Sequence, residues 1–147
     1  MAQTTFSGPL ASGDINAGKT GGPNLGFAVL SQTVLLNFDA TLVQNATVNL
    51  PFGSQILNIV VDVLTAYNSA TSATLTVGTA SAGTTYASGV NAKTAARTTP
   101  TFTAAQLTSM ANIGSTGPVV ATVTSVGQPT AGQVRVTYSY VQTTAND

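Results

Sequence analysis

Two stretches carry residue types that could do phosphate chemistry. Gly13-Asp14-Ile15-Asn16-Ala17-Gly18-Lys19-Thr20 fits the phosphate-loop pattern G-x-x-x-x-G-K-T position for position, and Ile56-Leu57-Asn58-Ile59-Val60-Val61-Asp62 reads as an apolar strand ending in an acid that could hold magnesium. Such a loop works because it joins a buried strand to a helix, so that the first helical amides face the phosphates. Here Thr4 to Leu10, ahead of the pattern, is no buried strand, and Gly21-Gly22-Pro23 follows it. Two glycines cost entropy and the proline restricts its predecessor, so no stable helix starts there. We expect no nucleotide site and no cofactor.

The remaining candidates are few. Asp14, Asp39 and Asp62 are the internal carboxylates. Asp39 reads as a strand-end residue, whereas Asp62, flanked by Val61 and Val63, must find a partner if it is buried. Arg97 or Arg135 could supply it, giving an intersubunit or intrasheet ion pair rather than a catalytic acid. Lys93 and Arg97 form the one local cluster of positive charge, which reads as a solvated loop. Asn45-Ala46-Thr47 has the glycosylation pattern but sits in an expected strand. Tyr67 and Tyr86 fall in expected loops and are the candidate aromatic platforms for a sugar.

Composition narrows chemistry further. The 147 residues hold four basic and four acidic side chains, with no His, Cys or Trp. There is no thiolate nucleophile, no imidazole base, no zinc cage of Cys and His, and no disulfide framework. With zero net charge there is no electrostatic footprint for nucleic acid or an anionic membrane. We therefore expect neither an enzyme nor a nucleic-acid or membrane binder. No secretion signal is visible and no run reaches the ~20 apolar residues of a membrane helix, so synthesis in a cytoplasm is expected. So few charges also favour association.

The elements that must position these residues are strands. After residues 1–26, rich in Gly and read as an extended N-terminal arm, the apolar period becomes two. Ala28, Leu30, Val34, Leu36 and Phe38 share a face, interrupted by Gln32; Leu42, Ala46, Val48 and Leu50 share the next, with Gln44 against the pattern. Leu57, Ile59, Val61 and Val63 point one way, and Ile56, Val60 and Leu64 the other. Residues 79–101 read as a long excursion that could hide a short strand. Thr103-Ala104-Ala105-Gln106 matches a capping box, with Leu107, Met110 and Ala111 at helical spacing. Val134, Val136, Tyr138 and Tyr140 face inward on the last strand. The expected fold is an all-β antiparallel β-sandwich or jelly roll over 27–142 with one short helix and a polar tail, 143–147.

Leu50-Pro51-Phe52-Gly53-Ser54-Gln55-Ile56-Leu57-Asn58-Ile59-Val60-Val61-Asp62-Val63, with the run Thr65 to Thr79 and the opening Phe6-Ser7-Gly8-Pro9-Leu10, resembles the capsid decoration or cement proteins of tailed bacteriophages. The resemblance is one of local pattern over about a third of the chain. It implies a β-rich subunit, a homo-oligomer and often a trimer, that binds the major capsid protein on the outside of the head and holds coat subunits together against DNA pressure. We expect a subunit or capsid interface at Ile56, Val60, Leu64, Asp62 and Arg97, with Phe6 and Leu10 in the reaching arm. The alternative is a receptor- or glycan-binding fibre domain built on Tyr67 and Tyr86.

Overall fold

Val, Thr and Ile dominate the alternating segments because branched side chains sit well on a pleated surface. The computed structural model, which describes residues 11–13, 25–114 and 118–142, turns these segments into strands. In chain order they are β1 (Ala11–Gly13), β2 (Leu25–Phe27), β3 (Leu30–Asn37), β4 (Val43–Val48), β5 (Gln55–Thr65), β6 (Ser72–Gly78), β7 (Ala87–Asn91) and β8 (Arg97–Thr98). Helix α1 (Ala104–Ala111), β9 (Val119–Val126) and β10 (Gln133–Val141) complete the set. β1 and β2 pair as a small antiparallel ribbon, so the segment expected as a plain arm contains regular structure.

The other eight strands form two antiparallel sheets, β3-β10-β5-β8 and β4-β9-β6-β7. The chain pairs its first sandwich strand with its last, the second with the seventh, the third with the sixth and the fourth with the fifth. That is one long antiparallel ribbon rolled on itself, the jelly-roll pattern of two four-stranded sheets. Between the sheets lie Ile59, Val61, Leu75, Val77, Val123, Val134, Val136 and Tyr138, all fully buried. Each such side chain contributes ~1.5–3 kcal/mol relative to exposure.

Polar residues that broke the sequence pattern have partners. Gln32 faces inward and its Nε2 donates to the Tyr140 hydroxyl at 3.1 Å. Gln44, buried, accepts from the Tyr67 hydroxyl at 2.6 Å and donates to the carbonyls of Thr41 and Asp39. Asn45 is taken up by Thr122, whose hydroxyl donates to it at 2.7 Å. The helix starts as its sequence dictates: Thr103 Oγ1 accepts from Gln106 N, and Gln106 Oε1 accepts from Thr103 N. Its inward residues are Gln106 and Met110; Leu107, expected on the packed face, is exposed. The reason is the capping box, which turns Gln106 inward, where it also donates to the Thr84 carbonyl. The 79–101 excursion holds two short strands, β7 and β8.

Candidate interface face

The outer face of the β3-β10-β5-β8 sheet gathers three of the chain's charged side chains in one cross-strand row. Pairing places Leu35 opposite Arg135, Arg135 opposite Asp62 and Asp62 opposite Arg97. Alternation therefore puts all four side chains on one face. Asp62 is buried under the two guanidiniums. Arg97 donates through Nε at 2.6 Å and Nη2 at 3.1 Å, and Arg135 through Nη2 at 2.7 Å and Nε at 3.1 Å. These hydrogen bonds, Arg97's first and then Arg135's, hold the Asp62 carboxyl down at about 2, below its ordinary 3.8. Asp62 in turn raises Arg97. The sequence left open which arginine would meet Asp62; both do, within one sheet. An acid with both oxygens so engaged is not placed to take a magnesium ion.

Next to the ionic row runs a hydroxyl row. Thr33, Thr137 and Val60 are in register, and the Thr33 and Thr137 hydroxyls bond at 3.1 Å. Ser31, Ser139 and Asn58 follow. Leu35 and Leu64 are each 46% exposed at the rim. A shallow groove of about 490 Å³ runs over Asp62, Leu64, Ala95, Ala96, Arg97 and Arg135. This face can hydrogen-bond and bury apolar surface, and it carries one uncompensated positive charge.

The expected interface residues fall in different places. Val60, half-buried, and Leu64 lie on the outer face with Asp62, and Arg97 lies over them. Ile56 does not join them: it is 3% exposed and sits in the core, while Leu57 is 44% exposed. A β-bulge causes the exchange. Tyr140 pairs with Ile56 and Ser139 with Asn58, so Leu57 is an extra residue and the alternation reverses across it. Phe6 and Leu10 lie outside the described residues, as does all of the phosphate-loop pattern after Gly13. Lys93 is not simply solvated, since its Nζ donates to the carbonyls of Ala70 and Thr71 at 3.4 and 3.3 Å. Asp39 closes the turn after β3, accepting from Thr41 N at 2.8 Å, and the Thr41 bonds lower its pKa.

Tyr67 and Tyr86 are corrected outright as aromatic platforms. They are 1% and 3% exposed, and burial raises both hydroxyls, Tyr67 to about 12. Both stand beside polar, small-residue segments in the sequence, which gives no sign of their burial; Tyr67 is packed by Gly132 and bonded to Gln44, both distant in the chain. A second groove, of about 540 Å³, is lined by hydroxyl and amide groups of Ser88, Asn91, Thr94, Thr98, Thr99 and Thr101, with no aromatic ring.

Two buried tyrosines with opposite hydrogen bonding give a paired prediction. The Tyr138 hydroxyl is buried without a partner among the described residues, and burial pushes its pKa up. Tyr67 is bonded to Gln44. Tyr138→Phe removes an unmet donor and should raise stability by ~1 kcal/mol, whereas Tyr67→Phe strands the Gln44 acceptor and should cost ~1–3 kcal/mol. Urea unfolding of the two variants checks the signs.

Compared with family models, with curated proteins and with solved structures, the chain matches none. Among the described residues no group of His, Cys, Asp or Glu is placed to hold a metal, and no helix is long and apolar enough to cross a membrane.

Proposed function

We propose that this chain is a structural virion subunit, a capsid decoration or cement protein that self-associates and docks on the major capsid protein outside the assembled head. It would be made in the host cytoplasm and would do no chemistry. The observation that supports this reading is the outer face of the β3-β10-β5-β8 sheet. Ordinary sheet exteriors are wetted by alternating charges; this one offers hydroxyls, Leu35 and Leu64, and an acid already neutralised within the sheet. Away from the Arg97 and Arg135 guanidiniums such a face loses little by being dried against a partner, and the one net positive charge they leave suits a partner that offers an acid there. The jelly roll recurs among viral capsid domains, which is agreement by analogy of fold and not by itself a reason.

The mechanism is linkage. A subunit that binds the closed shell and not its dispersed coat proteins stabilises the shell by RT ln(1 + [L]/Kd), about 2.7 kcal/mol at a hundredfold excess over Kd. The test is to add the purified chain to heads that lack it and follow their thermal rupture. Saturable binding with a rise in rupture temperature is expected; no binding at high micromolar concentration contradicts the proposal.

A further inference from the structure

The two flanks of the sandwich differ in how they treat their open strand edges. On the flank of β7 and β8 every edge is guarded. β8 is two residues long and Pro100 follows it. β7 is met by a register irregularity in β6, and Gly89 within it has φ +76°. Past β8, the Ile59 N–H is answered by its neighbour's side chain, Asn58 Oδ1, at 2.9 Å. Helix α1 covers the same side, with Ile113 N donating to the Ser54 carbonyl and Met110 buried. Bulges, short strands and covering elements are the devices by which sheets avoid edge-to-edge pairing.

On the other flank, the β3 edge shows none of them among the described residues. β3 is eight residues long, contains no charge and no proline, and pairs with β10 in unbroken register. Its free edge can be read from the ladder. Val63 N donates toward β8, to the Ala96 carbonyl, so the even residues of β5 face β10. Thr137, opposite Val60, then faces β5, and Val136 and Tyr138 face β3 opposite Val34 and Gln32. Phe38 N, donating to the Gly132 carbonyl, continues that set. The N–H and C=O groups of Ser31, Thr33, Leu35 and Asn37 therefore point away from the sheet, and among the described residues no backbone group pairs with them. The inward side chains Leu30 and Val34 remain half-exposed, unlike Val134 and Val136 beside them.

We propose that β3 is a self-association edge, where β3 of a second copy pairs antiparallel about a two-fold axis near Thr33 and joins two four-stranded sheets into one of eight. A row of open amides and carbonyls is matched by another extended backbone. A second copy supplies it with no like charges brought together, and a two-fold axis closes the assembly at two. An eight-residue strand spans about 27 Å, and an edge contact of that length over a sandwich buries on the order of 800 Å² in total. That is at the low end for specific contacts, so the pair is a reversible rather than an obligate one. This inference stands apart from the capsid reading: a dimer in solution leaves head binding open, and head binding leaves the dimer open. It departs from the threefold assembly that the resemblance implies.

Sedimentation of the full chain from low to high micromolar concentration tests it, with hydrogen exchange of the Ser31, Thr33 and Leu35 amides. A monomer–dimer equilibrium is expected, with these amides protected in the dimer and exposed on dilution. Thr33→Lys places two cations across the axis, and Thr33→Pro removes one outward N–H while sparing the ladder to β10. Each should weaken association by about tenfold or more, while Ser88→Lys on β7 should not. If circular dichroism shows one Thr33 variant unfolded, the other decides. A monomer throughout, a trimer, an oligomer that survives both variants, or protection of these amides in the monomer by the chain's own residues would each overturn it.

Discussion

Gly132→Ala should be one of the most damaging single-methyl changes among the described residues, costing ~3–5 kcal/mol. A Cβ built at Gly132 would lie 2.5 Å from the Cγ and Cδ2 atoms of Tyr67, well inside contact distance. The ring cannot withdraw. Tyr67 is buried, its hydroxyl is tied to Gln44 Oε1, and its own N–H donates to the Ala92 carbonyl at 2.9 Å. The backbone at Gly132 has φ +156° and cannot shift freely either, because its carbonyl accepts from Phe38 N at 2.9 Å. Loss of this size is a large part of a typical total stability of 5–15 kcal/mol and should lower Tm by ~10 °C or more. Gly89→Ala is the matching control. Gly89 also has positive φ, but a Cβ there meets open space, so only backbone strain of ~1 kcal/mol is expected. Thermal melts in which the two variants fall equally would contradict the role given to the Tyr67 ring.

Asp62→Asn should have the second-largest effect, and its signature is in pH. The folded carboxyl is held at about 2 against an ordinary 3.8. A depressed acid contributes stability that is fully present above the unfolded value and is lost as pH falls through the folded one. The natural chain should therefore lose stability as pH falls from about 4 to about 2 beyond what Asp39 accounts for. Asp62→Asn should lose that component of the acid transition. It should also melt lower at neutral pH, by ~5 °C, because Arg97 and Arg135 are then left as like charges without the anion between them, and the amide that replaces one carboxylate oxygen brings a third donor against their own. Hydrogen exchange at Val63, whose N–H donates to Ala96, should report the loosening of β8. Melts across pH that superimpose for the two proteins would contradict this account of the triad.

The fold was readable wherever side chains alternated without interruption. Val134 to Tyr140 announce β10, and Thr103 with Gln106 announces the helix start, because both rules are local. The partner of Asp62 was readable as a need, since a buried acid requires cations, but not as a choice between Arg97 and Arg135. What failed was parity and burial. Ile56 and Leu57 exchange faces because a bulge depends on where β10 pairs, which lies 84 residues or so further along the chain. Tyr67 and Tyr86 look exposed in the sequence because their neighbours are polar; Tyr67 is covered by Gly132, 65 residues further along the chain. β7 and β8 hid in Ala, Ser, Gly and Thr because their strand character comes from the ladder they join rather than from apolar alternation.

The most direct measurement of the proposed head-binding role is a search for this chain in purified virus particles produced by cells that express it. Quantitative mass spectrometry should find the chain in the particle at a fixed ratio to the major capsid protein, removable without loss of that coat. Absence of the chain from the particle, or a ratio that drifts from one preparation to the next, would contradict a structural role on the head.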